Sequence, residues 1–335
     1  MTPNAFVIVG CGRIAVRHAA AARRLGIPVI AASRDVARGR TFARDHGAVA
    51  AYGSYAEAYR DPRAVAAVLC TPHDRHLGDA QAAFAAGLHV LVEKPIARTL
   101  AEAERMVASA ASTGRVLMVA ENFHFMPAFR RVRAVVDAGR LGALREVHLV
   151  ARGWRQPAGW RCESDASGGG VLIDGGIHYV HSLRCWGGPV RRVFALRPPQ
   201  TLARLGGEDS VDVLVELGGG AVGSLSNSLA APGFPRVQWS TVTGTRATCF
   251  ADNRGRMIAI RDAGGRVRVS LFVRDTRGHQ AMLRAFQQAI ARGRAEEMDG
   301  AAGRDDLAVV LAAYRSIATG QPMDLADDRV GMLRC

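Results

Sequence analysis

The 335-residue sequence predicts an α/β protein, with a doubly wound parallel sheet over residues 1–122 and an α+β domain with a large, mainly antiparallel open sheet over 123–335. Three observations predict this. Strand-like and helix-like runs alternate strictly as far as Asn122, as parallel strands joined by helical crossovers require. The first strand runs directly into Gly10-Cys11-Gly12-Arg13-Ile14-Ala15 and then into a helix. After Asn122 the rhythm changes: one helix is followed by short apolar runs separated by turns such as Gly218-Gly219-Gly220 and Ala263-Gly264-Gly265, which favour antiparallel pairing.

The first half begins with a buried strand at 5–10 and a helix over Val16–Leu25, followed by a second strand at Val29–Ala32. Between them lies G-x-G-x-x-A, a variant of the dinucleotide fingerprint, so a Rossmann domain is expected. Its glycines let a pyrophosphate approach the helix N-terminus, which makes Gly10, Gly12, Arg13 and Ile14 candidate cofactor contacts. At the end of the second strand, Ser33 stands where an NAD-binding protein carries an acid. Arg34 and, one turn on, Arg38 offer forks suited to phosphate. NADP is therefore favoured, while Asp35 keeps NAD possible.

A helix at 37–46, a strand at 48–51 and a helix at 55–60 follow, then a strand at 64–70 ending in Thr71-Pro72-His73. That ending fits a loop passing the cofactor or a simple turn. A helix over His76–Ala86 leads to the run Val90-Leu91-Val92-Glu93-Lys94-Pro95. Of the 44 Lys+Arg residues Lys94 is the only lysine, and it sits just past a strand's C-terminal end, where open α/β sheets build their sites. A helix at 100–112 and a strand at 116–120 complete this half.

The second half is read as a helix at 127–138 and strands at 146–151, 190–197, 210–217, 221–228, Arg236–Thr243, 257–261 and 267–273. One helix interrupts at Gly170–Cys185, and two close the chain at 278–292 and 304–319. Along the interrupting helix Asp174, His178 and His181 are spaced i, i+4 and i+7, which predicts one face. A carboxylate beside a histidine suits a proton acceptor for an alcohol. Gly175 and Gly176 inside a helix imply close packing, by a ligand or by the protein itself.

Composition narrows the function classes. A content of 49% hydrophobic and 22% charged residues describes a globular protein. No apolar run approaches the roughly 18 residues of a membrane helix. The first strand starts too early for a signal peptide, so a cytoplasmic location is expected. The net charge of +14 comes from dispersed arginines with no basic tail or aromatic platform, which argues against nucleic acid and for an anionic small-molecule partner. Cysteines at 11, 70, 162, 185, 249 and 335 form no C-x-x-C or zinc spacing, so reduced structural thiols and no metal are expected.

Taken together, Gly10-x-Gly12-x-x-Ala15, Thr71-Pro72 with His76, Glu93-Lys94-Pro95, and Gly168-Gly169-Gly170 leading to Asp174-x-Gly176-x-His178 resemble the Gfo/Idh/MocA family of nicotinamide-dependent oxidoreductases. The motifs occur in the family's order over the first 180 residues; the later sheet fits the architecture without a sharp motif. One departure is His181, where many members carry an aspartate. The resemblance implies that Lys94 binds the reacting oxygen, His178 is the general acid/base and Asp174 orients it. It also implies that Thr71, Pro72, His76, Glu93, Lys94 itself and Asn122 frame the cofactor. Substrates of the family are mainly sugars, cyclitols and related polyols, and its open sheets tend to pair, so a homodimer or homotetramer is expected.

Trp160 and Arg161, after Trp154 and Arg155, are the substrate-binding candidates added to Lys94, Asp174 and His178. Tryptophan faces suit sugar rings and arginines suit hydroxyls or carboxylates, but core or subunit-contact roles fit the tryptophans equally. The alternative activity is a redox-neutral glycosidase or lyase that oxidises its substrate transiently, with Glu163 or Asp165 as its acid. A non-catalytic nucleotide-binding regulator fits less well, because Lys94, Asp174 and His178 are all retained.

Overall fold

A computed structural model of the chain describes residues 4–232 and 237–325. It divides into two compact units, one formed by residues 1–121 with 279–304, the other by 122–278 with the chain from 305 onward.

In the first unit, β1 (Ala5–Val9) is buried over its whole length, as a parallel strand covered on both faces must be. It leads through the glycine turn to α1 (Arg13–Arg24), then β2 (Val29–Ala32), α2 (Val36–His46), β3 (Ala50–Tyr52), α3 (Tyr55–Tyr59) and β4 (Ala64–Leu69). The second half follows with α4 (His76–Ala85), β5 (His89–Glu93), α5 (Leu100–Thr113) and β6 (Leu117–Ala120). The strands are parallel in the order β3-β2-β1-β4-β5-β6, which places the strand-order reversal between β1 and β4. Dinucleotides bind at that switch point in open sheets of this kind. Val7, Ile8, Leu69, Val90 and Leu91 form a dry centre.

The second unit carries α6 (Pro127–Asp137), β7 (Leu144–Arg152), the single turn α7 (Ser164–Ser167) and α8 (Ile177–Gly187). Its remaining strands are β8 (Val190–Leu196), β9 (Ser210–Leu217), β10 (Val222–Ser228), β11 (Val237–Gly244), β12 (Ala247–Asp252), β13 (Met257–Asp262) and β14 (Val267–Leu271). Then α9 (His279–Arg292) returns the chain to the first unit, where it packs on α1 and sets Phe286 edge-on to Phe6 at 5.5 Å between ring centres. Finally come α10 (Gly300–Thr319) and β15 (Met323–Asp324).

The second sheet has nine strands in the order β14-β13-β12-β11-β7-β10-β9-β8-β15. All neighbours are antiparallel except β7 and β10. Along β9, Val211, Val213, Val215 and Leu217 are buried while Asp212, Leu214 and Glu216 are exposed, so one face is core and the other open. α8 lies on the buried face, against β7 and β10.

Three expectations need correcting. β12 has no counterpart in the sequence reading, because its inward residues Ala247, Cys249 and Ala251 are small and make a faint alternation. The helix expected over Gly170–Cys185 is wound as a π-turn over Leu172–Gly176 before α8 begins. Such turns widen the helix and are frequent at functional sites. Cysteines 11, 70, 162 and 249 are free thiols as expected, but Cys185 is disulfide-bonded. Cys335 and Arg236, the first residue of the expected strand Arg236–Thr243, lie outside the described residues.

Candidate active site

The dinucleotide end of the first unit is made of backbone. Gly10 turns with φ +88°, and a Cβ there would stand 3.1 Å from the Cys70 carbonyl oxygen, so a side chain at this position would be both strained and crowded. A Cβ on Gly12 would meet nothing within 4 Å, leaving open space over the start of α1. No side chain caps α1 and no acid stands in its first turn, so its leading amides are available to an anion. Arg13 is exposed and Ile14 half-buried beside them. The uncapped amides and the room above Gly12 fit a pyrophosphate.

At the end of β2, Ser33 is buried and its Oγ accepts the Asp35 amide at 3.3 Å. Asp35 is the N-cap of α2, its Oδ1 accepting the amides of Ala37 and Arg38 at 3.0 and 3.1 Å. Arg34 and Arg38 are exposed. Arg34 also lines a groove of about 910 Å³ with Tyr55, Tyr59 and Asp79.

The loops after β4 and β5 are joined from inside the unit. Thr71 donates its hydroxyl to Asp79 Oδ2 at 2.8 Å, and burial pushes the Asp79 carboxyl above the usual range. His76 is wholly buried, with Nδ1 2.9 Å from the Pro95 carbonyl and Nε2 3.1 Å from the Thr71 carbonyl. Each ring nitrogen faces a carbonyl acceptor, and the neutral ring, with one N–H, donates to one of the two, so His76 sits as a brace between the Thr71-Pro72 turn and the Lys94-Pro95 turn. Burial lowers its basicity. The Lys94–Pro95 peptide is cis.

Glu93 is 8% exposed and lies 2.8 Å from His18 Nε2. Burial pushes its carboxyl up, but the His18 hydrogen bond and the charges of His18, Lys94 and His279 hold it below the usual range. Lys94 itself is half-buried.

In the second unit, Asp174 sits in the π-turn and His178 in the first turn of α8, both half-buried. Arg161 grips the Asp174 carboxylate with Nε at 2.7 Å and Nη2 at 3.1 Å, and Arg155 approaches it at 3.7 Å. The Arg161 guanidinium lies over the Trp160 ring at 4.3 Å. Arg161, expected to bind substrate, is hydrogen-bonded to Asp174 in this structure, with the Trp160 ring under its guanidinium. The His178 ring stacks on Phe123 at 4.4 Å with 9° between planes, which fixes the imidazole's tilt. Asn122, next to Phe123, donates its amide to the Arg277 carbonyl at 2.8 Å.

The π-turn is fastened from behind. A Cβ on Gly170 would fall 1.9 Å from the Glu208 carbonyl oxygen, so backbone packs on backbone there. The Glu208 carboxylate accepts the amides of Gly170 and Leu172 at 3.0 and 2.8 Å, and Tyr314 donates to it at 3.0 Å while accepting from Ile173 at 3.2 Å. Gly176 packs against Asn227 and Leu172, whereas Gly175 faces open space. The protein itself therefore accounts for Gly176.

His181 leaves the face of Asp174 and His178. It is 1% exposed, with Nδ1 2.9 Å from Asp306 and Nε2 3.0 Å from His124 Nδ1. Burial pushes the Asp306 carboxyl up, and the charges and hydrogen bonds of His181 and Arg184 pull it below the usual range. The i+3 step from His178 within α8 falls short of a full turn and places His181 on the buried side of the helix. Among the described residues His124, His181 and Cys185 stand close enough to hold an ion, but the Cys185 sulfur is in a disulfide and offers no thiolate. Among the described residues no helix is long and apolar enough to cross a membrane.

Sequence reasoning missed His18, Phe123, Glu208 and Tyr314. His18 had a signal, being the one polar residue on the alanine-lined buried stripe of α1. The others are brought to the site by tertiary packing, with no local pattern to mark them.

Comparison with known proteins agrees with this architecture. Residues 5–121 match a family model described as "Oxidoreductase family, NAD-binding Rossmann fold". Residues 129–250 match one described as "GFO/IDH/MocA C-terminal domain". The chain is 34% identical over 209 residues to trans-1,2-dihydrobenzene-1,2-diol dehydrogenase of Bos taurus, covering 61% of this chain and 60% of that protein. The match thus spans about 60% of that relative's length. It is 28% identical to 1,5-anhydro-D-fructose reductase of Ensifer adhaerens over 96% of this chain and 98% of the relative. Levoglucosan dehydrogenase in complex with NADH shares the fold with a TM-score of 0.88, 20% identity and coverage of 96% and 98% of the two chains. With both family models matched in succession over the two halves of the fold, the chain belongs to the Gfo/Idh/MocA family.

Proposed function

We propose that this protein is an NAD(P)-dependent oxidoreductase that moves a hydride between the nicotinamide and a hydroxyl or ketone of a sugar, cyclitol or related polyol. The observation that carries the reading is the pairing of a face-stacked, half-buried His178 with an arginine-clamped Asp174 on one helical segment, in a chain that presents an uncapped dinucleotide turn. The two relatives named above support it, one a diol dehydrogenase and one a 1,5-anhydro-D-fructose reductase. Lys94 donates a hydrogen bond to the reacting oxygen and stabilises the charge that develops there. His178 takes up or returns the hydroxyl proton, and Asp174, held by Arg161, keeps that helix turn oriented. Gly10, Gly12, Arg13 and Ile14 hold the pyrophosphate, while Thr71, Pro72, Glu93 and Asn122 frame the rest of the cofactor, braced by His76. When bound, the cofactor supplies the hydride acceptor or donor.

NADP is the proposed preference. Asp35 spends an oxygen on capping α2, while Arg34 and Arg38 stand exposed beside it, which suits a 2′-phosphate better than a bare ribose. The exposed sheet face bearing Leu196, Leu214 and Val222 is proposed to pair two copies of the chain. Glu163 and Asp165 lie exposed, and the dehydrogenase and reductase relatives do not favour the redox-neutral alternative.

The test follows nicotinamide fluorescence while the protein meets a panel of sugars, cyclitols and their keto forms, with NADP(H) and NAD(H) in parallel. Net cofactor turnover, strongest with NADP(H), is expected. Substrate consumed with no net change in cofactor would overturn the dehydrogenase reading, and turnover favouring NAD(H) would overturn the cofactor preference.

A further inference from the structure

We propose that His18 is a positioning residue for Lys94: its imidazole holds the Glu93 carboxylate in place and so ties the helix that opens the dinucleotide site to the lysine at the end of β5. The inference rests on the reading of Lys94 as the group that binds the reacting oxygen.

The buried stripe of α1 is Ala15, His18, Ala19, Ala21 and Ala22. On that otherwise alanine surface His18 is 1% exposed, places Nε2 2.8 Å from Glu93 Oε1, and buries an Nδ1 that meets no hydrogen-bond partner among the described residues. A residue kept only for packing would avoid that orphaned nitrogen. A buried carboxylate held by one side-chain donor is also a poor source of stability compared with apolar side chains of the same volume. Both costs fall on two residues with functional neighbours. His18 lies on the helix whose first turn receives the pyrophosphate, and Glu93 immediately precedes Lys94.

The electrostatics give the contact a direction. Glu93 is ionised despite its burial, so the hydrogen on the short contact belongs to His18 Nε2. Lys94 and His279 also attract the carboxylate, whose charge in turn reaches Cys70 and His76. The His279 ring stands edge-on to His18 at 6.1 Å between centres. Without the His18 donor the burial cost of Glu93 is no longer offset. The carboxyl then takes up a proton or turns to another partner, and the negative charge beside Lys94 is weakened or moved.

The experiment uses the full chain and four variants: H18A, H18Q, E93Q and the double variant H18A/E93Q. H18A is expected to lower kcat by about 10- to 50-fold, per folded molecule by circular dichroism, with KM for the polyol changed less than about 3-fold. H18Q keeps an N–H donor near the Nε2 position and is expected to stay within about 3-fold of the parent. The double variant is expected to be no slower than the slower single variant, because the two residues act as one unit. Wild-type kcat in folded H18A, or a double variant equal to the product of the singles, would overturn the proposal. Should H18A fail to fold, H18Q and E93Q carry the same comparison: H18Q at parental kcat beside an impaired E93Q is expected, and parental kcat in E93Q would overturn it.

A second readout needs no substrate. Because Lys94 is the only lysine, reductive methylation with carbon-13 formaldehyde gives one lysine signal in an NMR spectrum apart from the terminal amine. That signal is expected to move in H18A and return in H18Q. A signal unmoved in H18A would overturn the proposal whether or not a substrate has been found. A displaced signal in a protein that turns over no nicotinamide would sink the catalytic reading and leave the coupling of His18, Glu93 and Lys94 standing.

Discussion

The dinucleotide turn of the first unit and the Asp174–His178 segment of the second solve opposite problems. At the turn the working groups are backbone amides, and the sequence has only to keep side chains and caps away from Gly10, Gly12 and the first turn of α1. On the segment the working groups are side chains, and each is held by residues distant in sequence: Asp174 by Arg161, His178 by Phe123, and the π-turn by Glu208 and Tyr314. The first arrangement is set by what is missing over six residues, the second by what arrives from across the unit. Substitutions at the turn should therefore act on cofactor affinity, while those around the segment should act on kcat.

Lys94 gives the largest contrast, since it belongs to the dinucleotide unit but is read as a catalytic group. K94A is expected to lower kcat by about 10²- to 10³-fold, the usual cost of losing a donor to a developing oxyanion. Cofactor affinity, measured by fluorescence titration, should change little. A variant that kept its turnover would place the chemistry elsewhere.

Arg161 comes next. Its two charge-assisted hydrogen bonds to Asp174 are replaced by none in R161M, and a loss of about 1.5–3 kcal/mol of such contact corresponds to about 10- to 100-fold in rate. Steady-state kinetics should show that loss in kcat, with KM for the cofactor unchanged. R161K should recover little, because an ammonium cannot reproduce the two-pronged grip. If R161M instead raised only the polyol KM, Arg161 would be a substrate ligand after all.

Tyr314 tests the fastening behind the segment. Y314F removes a donor to Glu208 and an acceptor for Ile173, at a cost of about 1–3 kcal/mol in stability. The cost should depend on pH. Burial already raises the Glu208 carboxyl, and losing the Tyr314 hydroxyl raises it further. A carboxyl with a raised folded value favours the folded state at low pH and loses that contribution as pH rises from its unfolded value through its folded one. The deficit of Y314F should accordingly be larger at pH 7.5 than at pH 4.5 in urea unfolding; an equal deficit would mean that the hydroxyl matters only through the amides of Gly170 and Ile173.

The same contrast explains what could be read from the chain alone. The strand–turn–helix alternation, the glycine turn, Glu93-Lys94 and the Asp174/His178 spacing are local, and elements predicted from them differ from the observed ones by a residue or two in most cases. What could not be read is long-range. Nothing within 279–304 marks α9 as packing on α1, and nothing near Asp174 names Arg161 as its partner in place of a substrate. Periodicity put Asp174, His178 and His181 on one face, but a π-turn interrupts the winding between Asp174 and His178, and His181 turns inward to Asp306. Helical spacing assumes 3.6 residues per turn, and the site departs from that value just where it works.

The smallest effect belongs to Arg34, because at the end of β2 cofactor choice depends on side chains and not on backbone. R34S should lower kcat/KM for NADP(H) by about 10-fold, equivalent to about 1.4 kcal/mol for one exposed arginine–phosphate contact with Arg38 still beside it, and leave the value for NAD(H) within about 2-fold. The ratio of the two cofactors is the quantity to measure, because a general weakening of the fold would lower both together. If the ratio stayed fixed, Arg34 would be one more solvated arginine on a chain that carries many. Selectivity would then lie with Asp35, whose Oδ2 is the oxygen not bonded to the α2 amides. Converting Asp35 to Asn keeps the cap, since an amide oxygen accepts the same two hydrogen bonds, but removes the charge that would repel a 2′-phosphate. A shift toward NADP(H) in D35N with no change in R34S would make charge repulsion, and not the arginine fork, the determinant of cofactor choice.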